Sequence, residues 1–377
     1  MPPPAATYAH SPSRSWENDA DLPAQAVEQG CRDIAQQLLS ATRFGRGPSV
    51  VLGGRRREFT TVEQRDSEQD DKVGQRLDGR DLVAEWRRAN PRGAYVWNTG
   101  QLRAAGQAPA LLGLFESDHM QYEHERDRTD NGEPSLAEMT IAAINTLSRS
   151  SDGYVLMVES GRMDHAHHDG NAFRALDETV ALSDAVRAAP AATSAKDTLV
   201  LVTADHSHTL SFNGYPVRGN PVLGKVRGPS GEDDDGTAYT LDATGKVFTT
   251  LSYANRPGNT DASNRQPAGS KAFPHSPRSF EPVQRRPDLR DMDTEHPDYL
   301  QEALVPLKSE SHGADDVGIW ATGPGSDAVR GTVEQNALHH FIVQATPRLR
   351  TRLCAAKTCN AAGVPVQLPT PADFEKR

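Results

Sequence analysis

Long apolar runs are the first thing this chain lacks: over 377 residues none approaches the roughly 20 that a membrane-spanning helix needs. The opening MPPPAATYAH reads as proline-rich and polar rather than as the apolar core of a secretory leader. The closing TPADFEKR does not read as the hydrophobic tail of a lipid-anchor signal. An excess of positive charge is also missing, since 41 Lys and Arg stand against 51 Asp and Glu for a net charge of −10. Nucleic acid is therefore not an implied partner, and any affinity for phosphate has to arise locally. Cysteine is scarce, at three residues. Cys354 and Cys359 are near enough in sequence to close a small loop, which leaves Cys31 odd. A helix face made of Val27, Cys31, Ile34 and Leu38 would equally make Cys31 a buried thiol.

What the chain does have is two apolar runs that each end in carboxylates and imidazoles. The first, Tyr154–Asp169, reads YVLMVESGRMDHAHHD; the second, Leu199–His208, reads LVLVTADHSH. Val155 to Val158 suits a buried strand with Glu159 at its end, and a helical turn after Gly161 would put Asp164 and His168 on one face. That spacing suits zinc. Leu199 to Val202 is again strand-like, and Asp205 and His206 stand directly at its end. Ligands bind at strand ends in open α/β sheets, so two strands would deliver ligands to one rim. His312, in SESHGADDVGIWATGP, precedes a third apolar run, Val317 to Ala321. Histidines at strand ends can also be capping or solvated groups; five ligand-type residues in two similar settings favour a two-metal hydrolase.

The rest of the chain alternates strand with helix. A helix is expected from Asp21-Leu22-Pro23 through about Leu39, strands at Ser49 to Leu52, Tyr95 to Trp97 and Leu111 to Phe115, and a helix at Asp81 to Arg88. Ser135 with Glu138 forms a capping box opening a helix to about Ser148, and Phe173, Leu176 and Val180 face one way on the helix after the first ligand cluster. The alternation argues an α/β fold, a mostly parallel central sheet flanked by helices. From 224 to 308 the composition shifts to Gly, Pro, Asp, Arg and Ser around one apolar run, Val247 to Tyr253, which marks an insertion that on composition reads in large part as a flexible loop.

VESGRMDHAHHDG resembles the VEGGRIDHGHH segment of the alkaline phosphatase family in its animal-type branch. TADHSHTLSFNGYPVRGN is similar to its TADHSHVFTFGGYTPRGN, and SHGADDVGIWATGP to its THGGEDVAVFAKGP. The resemblance, from about Ala5 to about Cys359, implies hydrolysis of phosphate monoesters with two zinc ions, magnesium and calcium. Asp164, His168 and His312 would bind one zinc and Asp205 and His206 part of the second, with Glu159 on magnesium. TYAHSPSRSW resembles the stretch holding the phosphate-binding arginine, which places that role on Arg14; a guanidinium can grip two phosphate oxygens. Without the resemblance, Arg14 would read as a solvated charge. Glu63, the Phe115 carbonyl, Glu116 and Glu133 match the calcium positions, all hard oxygen donors.

The resemblance also implies a Cys354–Cys359 disulfide, a homodimer and an extracellular or cell-surface location, with membrane attachment only through a lipid anchor that this chain does not encode. It divides the chain into an α/β core at 1–223, a crown-like insertion at 224–308, a return to the core at 309–360 and a flexible tail at 361–377. The family's nucleophilic serine lies in a Pro-Asp-Ser-Ala-Gly segment, and the aspartate shared by zinc and magnesium in an Asp-Gly-Met-Gly turn; neither string is in this sequence. An N-terminally truncated phosphatase with little or no activity as written, or a metal-binding pseudoenzyme, is therefore expected. The Arg14 segment and the TADHSH run argue against a phosphodiesterase or sulfatase of the same superfamily.

Overall fold

The computed structural model describes residues 3–40, 47–228, 238–242, 245–256, 271–272, 288–355 and 359. The 361–377 tail and much of the 224–308 insertion lie outside the described residues. The elements run α1 (Pro3–Ala6), α2 (Ala24–Glu28), α3 (Ile34–Ser40), β1 (Val50–Gly53), α4 (Leu82–Ala89), β2 (Ala94–Val96), α5 (Thr99–Ala104), β3 (Leu111–Leu114), α6 (Leu136–Leu147), α7 (Gly161–His168) and α8 (Ala172–Ala191). They continue with β4 (Val200–Val202), β5 (Ser207–His208), β6 (Leu210–Phe212), β7 (Leu251–Arg256), β8 (Lys271–Ala272), β9 (Tyr299–Leu300), β10 (Ala303–Pro306), β11 (His312–Gly313), β12 (Trp320–Thr322), α9 (Ala337–Ala345) and α10 (Pro347–Ala355). They fall into two compact units: the first is Met1–Ala189 with His208–Ser311, the second Pro190–Ser207 with His312–Arg377.

The first unit is built around β3, the middle strand of a parallel sheet ordered β1-β3-β2. Leu111 to Leu114 are all buried, which is why this strand reads as an unbroken apolar run. Successive side chains point to opposite faces. Leu112 and Leu114 meet Leu82, Val83 and Trp86 of α4 and Ala35 and Leu38 of α3. Leu111 and the following Phe115 meet Leu102 of α5 and pack with Met139 and Ala142 of α6. Helices thus cover both faces. Side-chain caps open α4, α5 and α6: Asp81 accepts from Ala84 N–H, Asn98 accepts from Gln101 N–H, and Ser135 and Glu138 form the expected capping box.

Four expectations need correction. The helix from Asp21 to Leu39 is broken, because Gly30 takes φ +75° and ends α2 in a Schellman turn, with Gly30 N–H on Val27 O and Cys31 N–H on Ala26 O. Cys31 follows that turn and is exposed and free, so it is not a buried helix-face thiol. Val155 to Val158 forms no strand among the described residues, and Val155 is 81% exposed. An apolar run becomes a strand only where neighbouring backbone pairs with it. On α8 the buried face is Ala172, Ala175 and Ala185, with Arg174 and Glu178, whereas Val180 is exposed. Arg174 can be buried there because Glu125, Asp298 and the Pro297 carbonyl satisfy its guanidinium.

A second sheet in the same unit is ordered β10-β7-β6. β7 comes from the 224–308 segment, yet it pairs antiparallel with β6, which precedes that segment, and parallel with β10. Its Leu251 and Tyr253 pack with Ala172 of α8 and Ala303 of β10. In the second unit β4 and β12 pair antiparallel, with Leu201 opposite Ala321; β4 is half-buried rather than buried. Cys354 and Cys359 form a disulfide with Cα atoms 4.9 Å apart.

Because β3 is packed on both faces, Leu112→Ala is expected to cost about 2–5 kcal/mol. A urea unfolding midpoint within error of the parent would show that this sheet is not the core.

Candidate metal centre

Asp164 and His168 sit four residues apart on α7, on one face of the helix as the spacing requires. His168 is the last residue of α7, and the turn that follows fixes where it lies. Gly170, at φ +71°, donates to His167 O while Asn171 N–H donates to Ala166 O, a second Schellman turn. A side chain cannot replace the glycine, because a Cβ there would lie 2.0 Å from Cδ of the buried Arg256.

His168 Nδ1 lies 2.6 Å from the Glu310 carbonyl oxygen. A carbonyl only accepts, so Nδ1 donates to it and Nε2 is the ring nitrogen turned the other way. That nitrogen is 3.4 Å from Asp164 Oδ2. A tetrahedral zinc with bonds of about 2.0–2.1 Å separates its ligand atoms by about 3.3–3.4 Å. The carboxylate and the imidazole therefore fit a zinc ion in both donor type and spacing.

His208 faces the same carboxylate, with Nε2 3.0 Å from Asp164 Oδ1, and its Nδ1 is 2.7 Å from Glu310 Oε2. Ligand atoms of His168, His208 and Glu310 gather within 4.8 Å of one another. Burial works against the charge of His208, but hydrogen bonds to Asp164 and Glu310 outweigh it and push the imidazole up to about 9. The same contacts act on the carboxylates: against burial, His208 and His168 hold Asp164 down to about 2, and His208 and Thr209 lower Glu310. His167 stacks on His208 at 4.5 Å and lies 2.8 Å from the Tyr253 hydroxyl; burial, then His208, pushes it down to about 4. Neither His208, His167 nor Glu310 was singled out from sequence. The only signal was position, His208 standing two residues after His206 and Glu310 two before His312.

On the far side of α7, Arg162 Nη1 lies 2.6 Å from His165 Nδ1 and its guanidinium is 3.8 Å above the Tyr122 ring. Arg55, the one described non-glycine residue at positive φ, reaches His119 Nε2 at 2.9 Å. Guanidinium groups only donate, so both ring nitrogens accept and both imidazoles are neutral. Burial and then the arginines depress His119 and His165 to about 4.

The other sequence-selected residues are placed as follows. Glu159 is half-buried, two residues before α7 begins. Arg14 is exposed on a serine-rich turn in which Trp16 N–H donates to Ser13 O. Phe115, Glu116 and Glu133 are buried. Glu116 accepts from Gln69 Nε2 at 2.7 Å and from Gln121 Nε2 at 3.1 Å, and Glu133 accepts from Gln121 N–H at 2.9 Å. Burial, with the repulsion of Glu116 and Glu68, raises Glu133 to about 7. Glu63 is exposed; Glu68, five residues on, is the residue of that loop that shares the field of Glu116 and Glu133. In the second unit His206 and His312 stack with ring centroids 3.5 Å apart, and Asp205 Oδ2 lies 3.5 Å from His206 Nε2.

The family model for alkaline phosphatase matches residues 2–347. The tissue-nonspecific alkaline phosphatase of Gallus gallus is 38% identical over 350 residues, covering 91% of this chain and 60% of its own length. The Homo sapiens isozyme is 37% identical over 350 residues with the same coverage, and the Gadus morhua alkaline phosphatase is 37% identical over 351 residues, 66% of its length. The chain spans about three fifths of the length of the tissue-nonspecific relatives it matches. Among solved structures, a TAB5 alkaline phosphatase variant with magnesium bound superposes with a TM-score of 0.52 at 19% identity, covering 91% of this chain and 68% of the other, which shows a shared fold. Among the described residues, no helix is long and apolar enough to cross a membrane.

In the metal-free chain the folded pKa of His208 is raised from 6.5 to about 9. Its contribution to stability is then fully present below pH 6.5 and is lost as pH rises through about 9. Comparing the chelator-treated chain with His208→Gln, the stability gap is expected to shrink by up to about 3 kcal/mol from pH 6 to pH 10. A gap independent of pH would show that His208 is not held as a cation.

Proposed function

Because the chain belongs to the alkaline phosphatase family, we propose that it takes part in metal-dependent hydrolysis of phosphate monoesters, with Asp164 and His168 as zinc ligands. The observation that carries the reading is the 3.4 Å gap between Asp164 Oδ2 and His168 Nε2, the ring nitrogen that faces the carboxylate while Nδ1 is bonded to the Glu310 carbonyl. Asp164, held down to about 2, is ionised near neutral pH, so no proton competes there with a cation for its oxygens. His168 arrives in the correct tautomer because the Glu310 carbonyl occupies its other nitrogen. Zinc held by such donors supplies Lewis-acid polarisation of a phosphoryl oxygen.

The allocation of His312, Asp205 and His206 between the two zinc ions, and of Glu159 to magnesium, is the one the sequence match implies. Arg14, exposed and carrying planar donors, is the proposed clamp on the phosphate oxygens. For calcium, the Phe115 carbonyl, Glu116 and Glu133 supply oxygen donors. Glu68 is a better fourth donor than Glu63, because Glu116 acts to raise the proton affinity of Glu68, and Glu116 and Glu68 that of Glu133, as like charges near one another do. The 224–308 segment as a crown-like insertion, the homodimer and the extracellular or cell-surface location belong to the same reading.

Hydrolysis of p-nitrophenyl phosphate by the protein from its native source is the direct test. Activity is expected to vanish on chelation, to return with zinc and magnesium, and to fall by at least about 100-fold in Asp164→Ala. Zinc uptake without any hydrolysis would instead favour a metal-binding protein without turnover. Calcium is expected to raise the melting temperature, since a ligand that binds only the folded state stabilises it, and Glu133→Gln should abolish most of the rise. An equal calcium response in that variant would remove Glu133 from the site.

A further inference from the structure

Behind the residues that would touch an ion lies one buried carboxylate that the sequence motifs leave without a role. We propose that Glu310 is the positioning residue of the Asp164–His168 pair, holding both His168 and His208 so that their Nε2 atoms face Asp164; the proposal rests on the zinc reading of that pair.

The Glu310 side chain is fully buried. An ionised carboxylate in that position costs several kcal/mol unless its oxygens are satisfied. They are: Oε1 accepts from Thr209 N–H at 2.6 Å and from Thr209 Oγ1 at 2.7 Å, and Oε2 accepts from His208 Nδ1 at 2.7 Å. The main chain of the same residue works on α7. Glu310 N–H donates to the His168 carbonyl at 2.9 Å, and the Glu310 carbonyl accepts from His168 Nδ1 at 2.6 Å.

One residue therefore ties the Nδ1 atoms of two imidazoles, through its side chain for His208 and through its backbone for His168. With Nδ1 fixed, each ring can present only Nε2 forward, and the two Nε2 atoms meet the two oxygens of Asp164 at 3.0 and 3.4 Å. His208 cannot swing away, because His167 stacks on it at 4.5 Å and is itself held at 2.8 Å by the buried Tyr253 hydroxyl. A carboxylate that orients an imidazole in this way raises metal affinity without touching the metal. Asp164 thus receives one oxygen contact from an oriented His208, while its other oxygen is left to share an ion with His168.

The test uses the full chain in three forms: wild type, Glu310→Gln and Thr209→Val. Nitrogen-15 NMR of the imidazoles in the metal-free chain reads which ring nitrogen carries the proton and what it bonds, and chelator competition reads zinc affinity. In Glu310→Gln the His208 Nδ1 signal is expected to change while that of His168, whose partner is a backbone carbonyl, stays. Zinc affinity should fall by about 10- to 100-fold. Thr209→Val should move both readouts the same way by less. His208 signals identical to wild type, or wild-type zinc affinity in Glu310→Gln, would overturn the proposal. If Glu310→Gln does not fold, the same two criteria apply to Thr209→Val. A wild-type chain that takes up no zinc removes the zinc reading, and the hold of Glu310 on the rings then stands or falls on the His208 signals alone.

Discussion

The end of α7 is the constraint on which the candidate centre depends. The last turn of any helix leaves carbonyl groups without donors, and they must be satisfied from outside. Here the turn at Gly170 satisfies those of Ala166 and His167, and the N–H of Glu310 satisfies that of His168. The first bond set stops the helix at the residue that bears the imidazole; the second brings in a strand-side segment more than a hundred residues later and locks the ring to it. A ligand at the end of a helix would otherwise fray with it. Because the ring nitrogen and the peptide carbonyl of His168 are both bound by Glu310, the position of this imidazole is set by covalent geometry and two hydrogen bonds rather than by packing alone.

Charge in this region is arranged to be paired without being neutralised. Asp164 and Glu310 bring two carboxylates and His208 one imidazolium, so the cluster keeps a surplus negative charge while every buried group has a partner. Such a surplus is one that a cation would balance, in keeping with the proposed metal reading. Two carboxylates to one cation is also the ratio around two buried arginines elsewhere. Arg56 is answered by Asp66, Glu68 and the Leu114 carbonyl, and Arg76 by Asp33 and Asp78, so these pairs serve the framework around β3.

Much of this was legible in sequence where the signal was local. The capping box of α6, the helix at Asp81 to Arg88, the strand at Leu111 to Phe115 and the four-residue spacing of Asp164 and His168 are each written in fewer than ten consecutive residues, and each forms within about a residue of where it reads. What depends on a distant partner was not legible. Val155 to Val158 has a strand-like composition but no pairing among the described residues, and Val180 has helix-face spacing but lies where nothing covers it. The break at Gly30 was a local signal passed over, since a glycine at that point of a helix is as much a stop as a tolerated residue.

The sequence by itself determined the family, the helix that carries Asp164 and His168, and the acidic and imidazole donors available, because motif spacing and residue chemistry are properties of short segments. Tertiary structure alone decided that His208 and Glu310 join them, that Glu68 rather than Glu63 shares the field of Glu116 and Glu133, and which nitrogen of His168 faces Asp164. These are matters of a few ångströms between residues up to about 140 positions apart in the chain. A hydrogen bond is specified by distance and direction in space, and nothing in the linear order of a chain carries either.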